Sequence, residues 1–377
     1  MKHNWEYKRF SSIADILYGC PFESSRFNVD AKGMPLIRIR DVKPGCTSTF
    51  YDGEYSKEYL VKKGELLVGM DGEFNIAAWK SEEALLNQRV CRIKSKNESR
   101  ILTKYFFYFL GIELKRIEEQ TSFVTVKHLS AKVLNNISTP IPPMEVQEQI
   151  VAELDKINEL IEAKREQFKL LDSLAQSIYV HMFGNWSEFE QLSNYVTQLI
   201  GGKSLASLEP CANKVLKSGA VTYDYFDGSS TKFLPQNYIP LENHKVKVGD
   251  VIISRMNTAE LVGACAYVFN VEENIYLPDR LWRLEYKPNV NPIFLWKSLI
   301  SERSKRQIRA KASGTSGSMK NISKPLLLSV HIPKVPLVLQ EQFATQIEAI
   351  EAQKATVEKS IEELQTLLDS RMEYWFN

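Results

Sequence analysis

The sequence predicts an α+β protein in which two mixed α/β globules alternate with two long helices. The helices pair with each other as a coiled coil, and the whole is an internal pseudo-two-fold repeat. Three observations predict this. Four groups of landmarks recur in the same order in the two halves of the 377-residue chain. Each half closes on a heptad seam. The segments before the seams are rich in aromatic and β-branched residues, Gly and Pro.

The landmarks set the repeat. Val61-Lys62-Lys63-Gly64-Glu65-Leu66-Leu67-Val68 matches Val246-Lys247-Val248-Gly249-Asp250-Val251-Ile252-Ile253. Each is a polar turn closed by Gly and an acid, then a short apolar run, which reads as a turn into a buried strand. Arg89-Val90-Cys91-Arg92-Ile93 matches Arg280-Leu281-Trp282-Arg283-Leu284, and Lys127-His128-Leu129-Ser130 matches Lys320-Asn321-Ile322-Ser323. Pro140-x-x-Pro143-x-x-x-Gln147-Glu148-Gln149 matches Pro333-x-x-Pro336-x-x-x-Gln340-Glu341-Gln342. The offset drifts from 185 to 193, so loop lengths differ while order is kept.

In chain order, the first globule spans residues 1–142, with strands expected over 36–39 and 66–70 and a helix over 104–119. The first long helix spans 143–184. Its apolar positions Ile150, Leu154, Ile157, Ile161, Phe168, Leu171, Ala175 and Ile178 alternate by four and three residues. That is the a/d seam of a coiled coil, with Lys164 a polar interruption. Pro143 suits its start and Gly184-Asn185 its end. The second globule spans 185–335, with strands expected over 251–254 and 266–269 and a helix over 291–311. The second long helix spans 336–377. Its seam is Phe343, Ile347, Ile350, Val357, Ile361, Leu364 and Leu368, interrupted by Lys354. Two matched seams of some 35 residues favour pairing with each other over packing on a core, because such a helix runs ~50 Å.

Bulk properties bound the function. Hydrophobic residues at 44% and charged residues at 25% are ordinary globular values. The polar start Met1-Lys2-His3-Asn4-Trp5-Glu6 argues against a signal peptide, and no apolar run approaches the ~20 residues of a membrane span, so a cytoplasmic location is expected. The five cysteines and five histidines are scattered, which signals neither a redox pair nor a metal site. The net charge of +2 argues against a DNA binder relying on bulk charge. Such a protein would concentrate its cations locally or share the duplex with partners.

The globule-helix-globule-helix repeat, with Pro-x-x-Pro…Gln-Glu-Gln before each helix, resembles the specificity subunit of type I restriction-modification systems along the whole chain. The likeness extends to the Gly64–Glu73 run Gly-Glu-Leu-Leu-Val-Gly-Met-Asp-Gly-Glu and to Gly314-Thr315-Ser316-Gly317-Ser318-Met319-Lys320-Asn321-Ile322-Ser323. The resemblance implies a non-catalytic subunit without a cofactor of its own. Each globule would be a target-recognition domain on one half of a split site in double-stranded DNA. The helices would form an antiparallel coiled coil that fixes the spacing and docks two modification subunits. Those subunits would carry S-adenosylmethionine and methylate adenine, and restriction subunits would bring ATP and Mg. The second repeat has Met256-Asn257-Thr258 where the first has Asp71-Gly72-Glu73, which puts a shared role of that loop in doubt. Antiparallel end-helices relate the globules by an approximate two-fold, as the duplex requires for half-sites about one turn (~34 Å) apart. Because the globules have diverged, the half-sites should differ.

Base reading needs bidentate donors and amides, and phosphate contact needs cations or hydroxyls. Arg38 and Arg40 alternate with Ile37 and Ile39, which places both arginines on one strand face, directed to DNA or simply to solvent. The loop Asp71-Gly72-Glu73-Phe74-Asn75 is a base-reading candidate. Arg89, Lys127, Arg255, Asn257 and Lys320 join the set, as does Arg92, although Arg89 and Arg280 suit structural roles equally. Arg303, Lys305, Arg306, Arg309 and Lys311 form a basic cluster ahead of a run containing Ser316 and Ser318. Arg303, Arg306 and Arg309 share a helical face. Phosphate contact and a solvated basic face are the two readings.

Two catalytic look-alikes are weak. Pro278-Asp279…Glu285-Tyr286-Lys287 fits a metal-nuclease pattern, but five residues between the acids leave little room for a second strand. Asn291-Pro292-Ile293-Phe294 nears an adenine-methyltransferase motif, yet no Gly-rich cofactor loop accompanies it, and it reads as a helix start. The alternative from another class is a coiled-coil adaptor that binds proteins rather than DNA.

Overall fold

The computed structural model describes residues 5–120, 127–314 and 319–376. The chain divides into two compact units, one of Met1–Arg165 with Lys359–Asn377 and one of Glu166–Glu358. Each long helix therefore gives one half to each unit.

In the first unit a four-stranded antiparallel sheet orders its strands Ala14–Tyr18, Val90–Ser95, Leu66–Gly69, Asn75–Ala78. The helix Thr103–Gln120 packs on this sheet. It buries Tyr105, Phe106, Phe109, Leu110 and Leu114, whose spacing makes one apolar face, and Phe106 meets Phe10 edge-on at 5.0 Å. A second sheet pairs Met34–Ile37 in parallel with Ala84–Leu86. Glu6–Arg9 pairs with Ser138–Ile141 just before the first long helix, Met144–Phe183. Ile150, Leu154 and Trp375 share the core of this unit, with Leu368, Met372 and Phe376 against it. Glu153 accepts from Arg371 Nη2 at 3.1 Å and from Trp375 Nε1 at 3.0 Å.

The second unit repeats the plan. Its sheet orders Val196–Ile200, Leu281–Tyr286, Val251–Ser254, Cys265–Tyr267. Lys214–Leu216 pairs in parallel with Ile275–Tyr276, and Phe189–Gln191 pairs with His331–Pro333 ahead of the second long helix, Leu337–Phe376. Tyr179 and Phe183 of the first long helix meet Phe343 of the second at 5.8 and 5.3 Å. Lys354, expected as a polar interruption of the seam, is buried there with its ammonium 2.6 Å from Asp172 and 3.1 Å from Glu351. Burial lowers the pKa of that amine, but the two carboxylates outweigh it and raise it. Glu153–Arg371, Asp172–Lys354 and Tyr179–Phe343 run in opposite senses along the two helices, so the pairing is antiparallel. Of the remaining predicted seam residues, Ile157, Ile161, Leu171, Ile347, Ile350 and Val357 are buried, and Phe168, Ile361 and Leu364 are half-buried.

The landmarks are structural devices. Gly64 and Gly249 hold φ of 91° and 96°, the left-handed region that glycine enters without strain. The acid that follows folds back onto its own turn: Glu65 Oε2 accepts from Lys62 N–H at 2.6 Å, and Asp250 Oδ2 from Lys247 N–H at 2.8 Å. The same acids pair with Arg92 (3.2 Å) and Arg283 (3.5 Å) from the neighbouring strand. Each long helix is also pinned near its start by a fully buried glutamine. Gln147 Nε2 donates to Pro142 O (2.9 Å) and Arg100 O (3.1 Å), and its Oε1 accepts from Leu102 N–H (2.9 Å). Gln340 Nε2 donates to Val335 O (2.8 Å), and its Oε1 accepts from Asn291 N–H (2.8 Å). The neighbouring Glu148, Gln149, Glu341 and Gln342 are exposed.

Two expectations are corrected. The strand carrying Ile37 ends there, so Arg38 and Arg40 do not share a strand face. Asp41 Oδ2 captures Arg38 N–H at 2.9 Å and turns Ile39–Asp41 into a 3-10 helix, a local bond that competes with the ladder. The stretch 291–311 is two helices, Pro292–Ile300 and Glu302–Lys311. Ser301, in an extended conformation, caps the second by accepting from Ser304 N–H. Arg92, a candidate DNA contact, pairs with Glu65 at 3.2 Å.

The Glu153–Arg371 pair gives an acid-sensitivity prediction. The Arg371 hydrogen bond holds the Glu153 carboxyl below the usual range, with burial opposing and Trp375 assisting. A carboxyl lowered on folding contributes stability above its unfolded value of about 4.3, and that contribution is lost as pH falls through the lower folded value. The first unit of the Glu153→Gln variant should therefore lose less melting temperature between pH 5 and pH 3 than the wild type, as followed by Trp375 fluorescence. Parallel losses would contradict the assignment.

Candidate nucleic-acid interface

The first unit gathers polar side chains at one hairpin tip. Residues 70–74 connect the strands Leu66–Gly69 and Asn75–Ala78. Met70 N–H donates to Arg89 O (2.9 Å), and Leu129 N–H donates to Met70 O (2.7 Å), which ties three separate segments into one frame. On that frame His128 Nδ1 lies 2.5 Å from Asp71 Oδ1, and Arg89 Nη1 lies 3.3 and 3.4 Å from the two ring nitrogens of His128. Arg89 Nε lies 3.4 Å from Asp71 Oδ2. Arg89 holds a φ of 70°, uncommon for a residue with a side chain, and its side chain is half-exposed. Gly72, also at φ 70°, has open space where a Cβ would stand. Glu73 pairs with Lys43 at 2.9 Å, Asn75 Nδ2 donates to Glu73 O at 2.8 Å, and Lys127 Nζ donates to Glu118 O at 2.7 Å. Donors and acceptors in fixed directions on an exposed tip are what base-edge reading requires.

The second unit builds the same frame with other side chains. Arg255 N–H donates to Arg280 O (3.1 Å), and Ile322 N–H donates to Arg255 O (3.0 Å). Met256 pairs with Asn321 and Asn257 with Lys320, as Asp71 bridges to His128. Arg280 is exposed, and Met256 stands where Asp71 holds Arg89. The Arg255 guanidinium lies 5.5 Å over the Trp282 ring, while Lys320 Nζ donates to Gly314 O at 3.0 Å. The buried Arg255 Nε and Asn321 Oδ1 have no hydrogen-bond partner among the described residues.

The basic helix Glu302–Lys311 presents Arg303, Arg306 and Arg309 on one exposed face. The Arg303 guanidinium stacks 3.6 Å over Phe189, and Arg309 Nη2 donates to Glu260 O at 3.2 Å. Arg306 is 79% exposed in its side chain, with Glu302 at 3.9 Å. Lys305 points elsewhere and pairs with Asp224; Lys311 is half-buried. Ser316 and Ser318 lie outside the described residues. Arg40 Nη2 donates to Thr49 Oγ1 at 3.3 Å, and neither Arg38 nor Arg40 is bonded to the hairpin frame among the described residues.

The frame thus brings together Asp71, Gly72, Glu73, Asn75, Arg89 and Lys127 in one unit, and Arg255, Asn257 and Lys320 in the other. His128 and Asn321 were missed in the sequence. Their signal was present, because they are the one differing pair inside the Lys-x-(Leu/Ile)-Ser landmark. The look-alike acids are otherwise engaged: Glu285 pairs with Arg283 at 2.9 Å, and Asp279 accepts from Ser204. Burial pushes the Cys91 thiol up to about 12 and raises Cys265 well above its usual value, which keeps both as thiols at neutral pH. No helix among the described residues is long and apolar enough to cross a membrane.

Comparison with known proteins fits this architecture. Residues 2–170 match the family model described as the type I restriction modification DNA specificity domain. The type I restriction enzyme EcoBI specificity subunit of Escherichia coli is 40% identical over 171 residues, covering 45% of this chain and 36% of that protein. The MjaVIII specificity subunit of Methanocaldococcus jannaschii is 24% identical over 364 residues, covering 89% and 84%. The crystal structure of a type-I restriction-modification S subunit from M. genitalium has a TM-score of 0.59 at 14% identity, covering 100% of this chain and 97% of its own. A chain from a study of complex assembly and conformational transition in the type I R-M system has a TM-score of 0.52 at 16% identity, covering 99% and 97%. With the repeat and the paired long helices, the domain matched over residues 2–170 makes the chain similar to type I restriction-modification specificity subunits.

Proposed function

We propose that this chain recognises a bipartite, asymmetric site in double-stranded DNA, one half-site per globule, and catalyses nothing itself. One observation carries the reading: the two units repeat a single backbone frame, 70/89/129 and 255/280/322, yet place different side chains at its exposed tip. A shared frame with unlike tips suits two different half-sites, because bases are discriminated by side-chain donors and acceptors rather than by the scaffold. Segments 1–142 and 185–335 act as target-recognition domains, and 143–184 and 336–377 as spacers. Two modification subunits dock on the paired helices and bring S-adenosylmethionine, and restriction subunits bring ATP and Mg. The complex acts in the cytoplasm.

Arg306 and Arg309 are assigned to phosphate. Changing both to Gln should weaken duplex binding across sequences and reduce the log–log salt slope by about 2, on the order of 0.9 for each phosphate no longer neutralised. Anisotropy titrations at several salt concentrations measure this, and an unchanged slope would remove the assignment. Mapping of methylated adenines by the chain together with its modification subunits tests the whole reading. An asymmetric split site is expected, whereas a palindrome or no sequence preference contradicts it. Residues inserted into the first long helix should change the tolerated spacer in the same map.

A further inference from the structure

The second unit contains a cleft of about 1070 Å³ between its globular part and its share of the long helices. That exceeds the roughly 300–1,000 Å³ typical of small-ligand pockets. Its aromatic wall is built from Tyr267, Phe269 and Trp296, with Tyr267 and Phe269 edge-on at 4.5 Å. At the rim Tyr223 and Tyr225 stack 6.2 Å apart and are 72% and 53% exposed, so flat π-faces are offered to an incoming group.

The electrostatics single out the occupant. Six carboxylates line the cleft against three lysines, a difference of three negative charges, in a chain whose own net charge is +2. All three lysines are already matched within the wall. Lys297 lies 3.4 Å from Glu351, Lys354 lies 2.6 Å from Asp172, and Lys305 pairs with Asp224. Glu348 and Glu358 are exposed on the second long helix and carry no such internal cation in the cleft. Uncompensated carboxylates beside exposed tyrosine faces attract arginine and lysine side chains, through ion pairing and cation–π contact together. The same field repels phosphate.

The charged wall also departs from the repeat. Counting from the buried glutamine locks, Lys297 and Glu351 occupy the places of Tyr108 and Asn158 in the first unit. There the phenol donates to Asp155 at 2.6 Å and accepts from Asn158 at 3.3 Å, so an uncharged pair stands where the second unit keeps an ion pair.

We propose that this cleft docks a cationic segment of a partner protein, presenting arginine or lysine side chains, once per chain. The proposal does not rest on the DNA reading. The test uses the full chain and a fluorescein-labelled 12-residue peptide of alternating arginine and alanine. Its citrulline counterpart keeps the shape without the charge. The arginine peptide should bind, and Tyr223→Ala with Tyr225→Ala, or Glu348→Gln with Glu358→Gln, should each weaken it at least tenfold. These four side chains are exposed, so thermal melting should stay unchanged and report an intact fold. Duplex binding should also be unchanged, which separates failure here from failure of the DNA reading. Equal affinity of the wild type and both double variants would overturn the proposal, as would equal binding of the citrulline peptide. Displacement of the peptide by duplex DNA in proportion to cleft mutation would assign the cleft to nucleic acid and overturn it too.

Discussion

Replacing Gln340 by leucine is expected to destabilise the second unit by about 3–5 kcal/mol, and Gln147→Leu to do the same to the first. Leucine matches the volume but removes every hydrogen bond. In the second unit it strands the Asn291 N–H and the Val335 carbonyl, and in the first the Leu102 N–H with the Pro142 and Arg100 carbonyls. Each buried orphan costs about 1–3 kcal/mol, far more than the net value of a satisfied bond. The lock joins the start of a long helix to the start of the helix packed on the sheet, so the loss spreads through a whole unit. Urea unfolding followed by hydrogen exchange should show early opening confined to the unit that carries the change. A loss below about 1 kcal/mol would mean that the glutamine is a passive occupant.

The second large effect concerns reading. Asp71→Met combined with His128→Asn gives the first unit the side chains of the second at equivalent places on the frame. With its carboxylate and imidazole gone, Arg89 loses its fixed direction. Discrimination at the first half-site should fall roughly 10- to 100-fold, the equivalent of about 1–3 kcal/mol per base pair read. The second half-site should be unaffected. The readout is competition between duplexes altered in one half-site at a time. Equal loss at both half-sites, or none at either, would show that this tip does not read bases. Melting should hold, because the two side chains sit at the surface of an unaltered backbone frame.

The paired helices were legible because a heptad seam is a long, redundant signal, and a single misplaced residue does not hide it. The buried strands Leu66–Gly69 and Val251–Ser254 were legible because a Gly-acid turn announces each. What stayed hidden depends on single atoms. One Asp41 oxygen ends a strand at Ile37, and one Ser301 hydroxyl divides 291–311 into two helices. The pairing of Arg92 with Glu65, 27 residues earlier, was equally hidden. The hairpin tip was half legible. Asp71 and Arg89 were candidates on composition, but their convergence with His128 depends on pairing across 57 and 39 residues, which local spacing does not encode.

The division of the long helices bears on how the protein is made. The second unit is one continuous run, 166–358, whereas the first needs residues 359–377 to cover Ile150 and Leu154. A ribosome moving along the message therefore releases everything the second unit requires before it releases what completes the first. The usual order, in which the N-terminal part matures first, is inverted for these two units. Until Leu368, Met372 and Trp375 emerge, the core around Ile150 and Leu154 lacks part of its cover in the nascent chain. A lesion within residues 359–376 should be felt in residues 1–165, more than 190 positions earlier in the chain.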